Sequence, residues 1–249
     1  MGKIIVFANQ KGGVGKTTSC VNIGAYIAAA GKKVLLIDFD PQGNLSSSLG
    51  RSGDGIYEVI SGKIPLSQAV QSTTQDNLFI VSSNINLTGA NVELVDLEGR
   101  EYYLKNAINT AIDSWDYVLI DCPPSLGILT LNGLAAADHV IIPLQCEYFA
   151  LEGLSLLLQT IQMVQKGVNT DLQIGGIFFT MYDSRTRLAR EVVEEVSEYF
   201  KDKVFRTIIP RNVRLSEAPS HSVPISGYDP ECLGALSYKK LAEEVMNRV

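Results

Sequence analysis

The chain has 249 residues, 46% of them hydrophobic, with 27 acidic against 21 basic side chains and a formal net charge of −6. That apolar share suits one large α/β unit, a single domain over residues 1–249. The acidic balance excludes nucleic-acid binding through overall positive charge, so any DNA contact has to come from a local patch. Cys20, Cys122, Cys146 and Cys232 form no Cys-x-x-Cys pair, the pattern of buried free thiols in a reducing cytoplasm. The first strand pattern begins almost at once and leaves no room for a signal peptide. No apolar run approaches the roughly 18 residues that span a bilayer. Val6 stands where a myristoylation signal needs Ser or Thr. A soluble cytoplasmic protein with no membrane partner is expected.

In chain order, the apolar run Ile4-Ile5-Val6-Phe7-Ala8 predicts a strand over Lys3–Ala8. It leads into Asn9-Gln10-Lys11-Gly12-Gly13-Val14-Gly15-Lys16-Thr17-Thr18, and a helical pattern follows over Thr17–Ala30, ending at Gly31. Strand, glycine-rich loop and helix opening on Lys-Thr is the context of a phosphate-binding loop. Gly12, Gly13 and Gly15 carry no Cβ, so backbone N–H groups around Val14 can close on phosphate oxygens, and the helix N-terminus, with Thr18 in its first turn, adds unpaired donors. Lys16 can reach the outer phosphates, and the Thr17 hydroxyl can ligate the accompanying Mg²⁺. A nucleoside triphosphate is the implied ligand.

Further strands are predicted at Lys33–Asp38, Asn77–Ser82, Tyr117–Asp121, His139–Pro143, Gln173–Thr180 and Val204–Ile209. Helices are predicted at Glu93–Ile112, Gly127–Ala136, Leu151–Lys166, Arg185–Phe200 and Leu233–Val249. Apolar residues at consecutive positions, as in Val34-Leu35-Leu36-Ile37, imply strands covered on both faces. The expected fold is therefore a doubly wound, mostly parallel sheet flanked by helices, of the P-loop NTPase type. The Ser/Gly-rich piece Gly43–Gly55 reads as a mobile surface segment beside the nucleotide.

Two predicted strands end in acid where an α/β sheet presents its ligands: Asp38-Phe39-Asp40-Pro41 and Asp121-Cys122-Pro123-Pro124. We assign Asp38 and Asp121 to the metal surroundings and Asp40 to orienting the attacking water.

The second lysine of the loop, Lys11, departs from the common phosphate-loop pattern. Lys11-Gly12-Gly13-x-Gly15-Lys16-Thr17 resembles the deviant Walker-A motif of the ParA/MinD ATPases. The segments from Asp38 to Asn44, Asp121 to Gly127, Gln145 to Gly153 and Ile209 to Ser220 resemble the chromosome-partitioning ParA (Soj) proteins in particular. The resemblance covers nearly the whole chain. It implies an ATP·Mg²⁺-dependent sandwich homodimer in which Lys11 reaches the partner's nucleotide, hydrolysis to ADP that is slow until a ParB-like partner stimulates it, and nucleoid association. It also implies that Pro210 and Asn212 hold the adenine and that Arg185 and Arg214 contribute to non-specific DNA binding.

Local physics agrees on the arginines. Arg185, Arg187 and Arg190 crowd the start of a predicted helix capped by Asp183 or Ser184, where the helix dipole disfavours cations. A phosphate backbone asks only for such charges. Ion pairing with neighbouring acids is the plainer reading of the same residues.

The C-terminal stripe of Tyr238, Leu241, Ala242, Val245, Met246 and Val249 has a nearly charge-balanced polar face. It is expected to pack on the sheet rather than on a membrane as in MinD relatives. His139 and His221 read as structural, and no cysteine has the surroundings expected for the shared cluster of the nitrogenase iron protein, which carries the same loop. The start of the chain also argues against the operator-binding extension of larger plasmid ParA proteins. An alternative to the partitioning ATPase is a ParA-like regulator or scaffold that positions protein clusters or controls replication initiation.

Overall fold

The computed structural model describes residues 2–249. Seven strands form one sheet: β1 Lys3–Phe7, β2 Val34–Asp38, β3 Val70–Ser72, β4 Leu78–Val81, β5 Tyr117–Asp121, β6 His139–Gln145 and β7 Gln173–Thr180. Their order across the sheet is β3-β4-β2-β5-β1-β6-β7, parallel except for the antiparallel edge pair β3–β4. The helices are α1 Lys16–Ala29, α2 Asn44–Ser48, α3 Ile56–Ile60, α4 Leu66–Ala69, α5 Leu87–Glu93, α6 Tyr103–Asn109, α7 Ile128–Ala136, α8 Ala150–Gly167, α9 Arg187–Phe200, α10 Arg214–Glu217, α11 Ile225–Tyr228 and α12 Leu233–Arg248.

Consecutive apolar residues make the strands two-faced. Val6, Leu35, Ile37, Val118 and Ile120 belong to one buried cluster, and their neighbours Ile5, Phe7, Leu36 and Leu119 to the other. Side chains alternate across a strand, so both clusters arise from the same five-residue runs, and each is closed by helices on its own side. The C-terminal stripe packs as expected: Tyr238, Leu241, Ala242 and Val245 are buried in the cluster that α1 also covers. No described helix is long and apolar enough to cross a membrane.

Four expectations change. The helix foreseen over Glu93–Ile112 forms only as the short α6, Tyr103–Asn109: α5 already ends at Glu93, and Gly99 turns into the left-handed region at φ 66° between the two. Gly43–Gly55 is not a loop throughout: α2 starts after Gly43 and buries Leu45 and Ser46. Val204–Ile209 is not a strand. It meets β7 at one isolated bridge, Ile177–Val204, and through the Phe205 and Ile209 N–H groups, which donate to Ile177 and Phe179 at 2.8 Å, while the Glu244 carboxylate accepts the intervening Arg206 and Thr207 N–H groups at 2.9 and 3.0 Å. Finally, α9 starts at Arg187 after Thr186, so neither Asp183 nor Ser184 is its cap, and Arg185 precedes the helix.

Candidate functional site

β1 delivers the chain into the glycine loop between β5 and β6, the centre of the sheet. The Asn9 side chain pins its start, donating to the Pro143 carbonyl at 2.8 Å and accepting the Lys11 N–H at 3.0 Å. Thr180, the last residue of β7, donates to the Val14 carbonyl at 2.8 Å and anchors the far side. Gly13 and Gly15 take positive φ, 72° and 86°, and Gly15 hands the chain into α1. That turn leaves the first N–H groups of α1 facing a cleft of about 330 Å³ lined by Gly12, Gly13, Gly15, Lys16, Thr17, Thr18, Asp40, Asn44, Ser48, Pro124 and Met181.

The two loop lysines are placed differently. Lys16 is buried, and its Nζ donates to the Lys11 carbonyl at 3.0 Å, inside the loop. Burial lowers its pKa, with Asp121 opposing. Lys11 stands on the outer rim, its side chain 40% exposed, and its ammonium is paired with Glu147 on the loop between β6 and α8.

The three acids divide. Asp38 and Asp121 end adjacent strands in register and are fully buried. Burial, with Asp38 nearby, pushes Asp121 well above the usual carboxylate range. One Asp121 oxygen accepts the Thr17 hydroxyl at 2.6 Å, and the other, Oδ1, is buried without a partner. An orphaned carboxylate oxygen beside a threonine hydroxyl at the phosphate cleft fits a hard cation. No described residues form a complete cluster of three His, Cys, Asp or Glu ligands. A cation here would therefore draw on phosphates and waters, as Mg²⁺ does. Asp38 is otherwise engaged: its Oδ2 accepts the Ser46 N–H at 2.8 Å and hydroxyl at 2.6 Å, which ties α2 to the end of β2. Burial raises its pKa to about 6 despite these bonds. Asp40 is the acid that lines the phosphate cleft, its own Oδ1 accepting the Gln42 N–H at 3.0 Å.

A second cleft of about 220 Å³ adjoins the first. Pro210, Asn212, Ile209, Leu215, Pro219, Met181 and Tyr238 help to line it, and Gly15 and Thr18 belong to both clefts. Asn212 uses its Oδ1 to accept the Arg214 N–H at 2.9 Å. Pro210 and Asn212 thus stand with the phosphate loop along one continuous groove.

Arg185 and Arg214 lie outside both clefts. Arg185 is 86% exposed and folded onto Asp183, while Arg214 pairs with Glu217 at 2.8 Å and Asp229 at 3.4 Å. Arg187 pairs with Glu191. The plainer reading is thus realised for Arg185, Arg187 and Arg214, with partners that stay partly exposed. Such pairs contribute little to stability and exchange readily for another anion.

Sequence reasoning missed Glu147, Asn9, Ser46, Asn44, Ser48 and Met181. Glu147 was visible only as an acid inside a family-like segment, and Met181 carried no signal.

A family model described as an AAA domain matches residues 2–174. The chain is 64% identical to the chromosome-partitioning ATPase Soj of Treponema pallidum, covering 100% of this chain and 98% of that protein. It is 53% identical to the sporulation initiation inhibitor protein Soj of Bacillus subtilis, covering 98% of each. The chain belongs to the Soj/ParA family of chromosome-partitioning ATPases. Among solved structures it is similar to a cobyrinic acid a,c-diamide synthase from Mycobacterium smegmatis with bound ATP analogue and magnesium. That likeness has a TM-score of 0.89 at 40% identity and covers 99% of this chain and 95% of that one. The Soj relatives share more sequence over an equal span, so the partitioning family gives the functional frame.

Proposed function

We propose that this chain is a single-domain ATPase of DNA segregation that binds ATP·Mg²⁺, pairs as a sandwich homodimer, binds DNA non-specifically, and releases it when a ParB-like partner stimulates hydrolysis. The observation that carries the reading is the division between the two lysines. Lys16 is turned into its own loop and lines the cleft there, whereas Lys11 projects from the rim with one exchangeable partner, Glu147. A lysine so placed can neutralise phosphates held by a second copy, which couples chemistry to pairing.

Within one protomer, the loop N–H groups and Lys16 hold the β- and γ-phosphates, and Pro210 and Asn212 take the adenine. Thr17 and Asp121 would hold the cation, Thr17 by its hydroxyl and Asp121 by its free oxygen, directly or through a water, with Asp38 fixing the strand end behind them. Bound Mg²⁺ would supply charge neutralisation between the phosphates. Asp40, on the cleft wall, orients the attacking water. Hydrolysis stays slow until a partner protein completes this arrangement.

Arg185 and Arg214 supply the DNA contacts. A few cations on a chain of net −6 bind weakly, and pairing two copies doubles the patch and raises effective concentration. The protein is then cytoplasmic and nucleoid-associated in its ATP form. The test is binding to a random-sequence duplex with ATP, a slowly hydrolysed analogue, ADP or no nucleotide, with light scattering in parallel. Binding confined to the ATP forms, tracking dimer size, weakened by salt and lost in Arg214→Glu supports the reading. ATP-driven pairing without DNA affinity at low salt overturns the DNA step and leaves the regulator or scaffold.

A further inference from the structure

Met181 sits where the phosphate cleft and the base cleft meet, and lines both. Its backbone is left-handed at φ 49°, a conformation that costs a non-glycine residue stability and persists where its surroundings over-determine it. Those surroundings are visible on both sides. Thr180 is bound to the Val14 carbonyl of the glycine loop. Tyr182 donates its N–H to Ile209 and accepts the Arg211 N–H, both at 3.1 Å, which fixes the segment that carries Pro210. The residue between these anchors spans the junction of two ligand-binding segments. A Cβ placed on Gly15 would lie 3.9 Å from the Met181 Cε, so the thioether reaches over the loop–helix junction.

A nucleotide with its phosphates in the glycine loop and its base beside Pro210 must cross that junction with its sugar. We propose that Met181 is a further nucleoside-binding residue of the site, an apolar shelf that packs against the nucleoside between phosphate and base. This rests on the nucleotide-binding reading above. A thioether suits such a shelf because it is polarisable, adapts its shape and packs against aromatic rings. The strained turn holds it there, and the protein bears the strain for ligand contact rather than for folding.

The shelf acts on the nucleoside and not on the phosphates, which distinguishes it from a merely structural residue. Met181→Ala is expected to weaken Mg·ADP binding about five- to tenfold while leaving Mg·pyrophosphate binding within about twofold. Met181→Leu keeps ADP affinity within about threefold, as a volume-conserving change should. Met181→Gly relieves the positive φ, so its nucleotide-free melting temperature is at or above that of Met181→Ala although its ADP affinity is equally poor. Equal losses for ADP and pyrophosphate, or no loss for ADP, overturn the proposal.

A measurement on the unaltered protein needs no variant. Under hydroxyl-radical oxidation read by mass spectrometry, Mg·ADP is expected to slow Met181 sulfoxide formation several-fold while Mg·pyrophosphate does not. Met163, 65% exposed on α8, serves as the unaffected reference. ADP binding with Met181 unprotected overturns the shelf alone, whereas failure to bind ADP overturns the nucleotide reading with it.

Discussion

The Lys11 ammonium is paired with the Glu147 carboxylate, 136 residues away in sequence, and both side chains remain nearly half exposed. A carboxylate therefore occupies, within one chain, the lysine assigned to a partner's phosphates. Loss of the lysine in Lys11→Ala should abolish nucleotide-dependent pairing. Glu147→Gln keeps the shape and removes the competing charge. It should lower the protein concentration at half-association with a slowly hydrolysed ATP analogue by about two- to fivefold, the scale of an exposed ion pair. Sedimentation velocity checks this. Weaker pairing in Glu147→Gln would mean that the carboxylate serves the dimer rather than the monomer.

Asp40 is expected to matter for turnover and not for binding. Its carboxylate lines the phosphate cleft, so Asp40→Ala should retain ATP affinity or improve it slightly by removing a like charge. Phosphate release should fall about 10²–10⁴-fold, the range associated with losing a positioned acid–base group. Single-turnover hydrolysis alongside an ATP titration separates the two. Unchanged hydrolysis would remove Asp40 from the reaction.

Stability should depend on pH through the buried acids. Asp38 rises from 3.8 in the unfolded chain to about 6 in the fold, chiefly by burial, and Asp121 shifts the same way. Asp38 binds its proton more tightly when folded, so its stabilising contribution is complete below about pH 4 and is lost as pH rises through about 6, and Asp121 acts in the same direction. For Asp38 the difference amounts to about 3 kcal/mol. Without metal or nucleotide, the melting temperature of Asp38→Asn should vary less between pH 4 and 6 than that of the unaltered chain. Parallel curves would show that Asp38 does not titrate in this window.

The parts legible in the sequence are those set by local pattern. The runs at Ile4–Phe7, Val34–Ile37 and Val118–Ile120 announce buried strands because each residue is apolar whichever face it meets. Likewise, the glycine loop must follow the first of them, and Asp121 must end the third. What stayed hidden depends on distant partners. Nothing near Val204–Ile209 reveals that Glu244 will take its N–H groups, nor near Asp38 that Ser46 will fold back onto it. Met181 gave no sign because its position depends on a backbone angle that methionine does not favour. The withdrawal of Asp38 from the cleft was hidden for a related reason: alternation along an extended chain places Asp38 and Asp40 on one side, but only Asp40 reaches the cleft wall after β2.

Glu244 links the far helix to the cleft of Pro210 and Asn212. Its carboxylate on α12 accepts the N–H groups of Arg206 and Thr207, and also pairs with the Thr207 hydroxyl. These bonds hold the stretch that leads through Ile209, itself bound to Phe179, into Pro210 and Asn212. Glu244→Ala leaves two backbone donors without their partner and is expected to cost about 1–3 kcal/mol of stability. The cost should be concentrated in this segment. Hydrogen exchange should therefore rise at Arg206 and Thr207 while the β1 and β5 amides stay protected. ATP should bind more weakly through the base half of the site, with pyrophosphate affinity unaffected. Uniform loss of protection across the sheet would instead mark Glu244 as a global stabilising contact with no particular hold on the segment of Pro210 and Asn212.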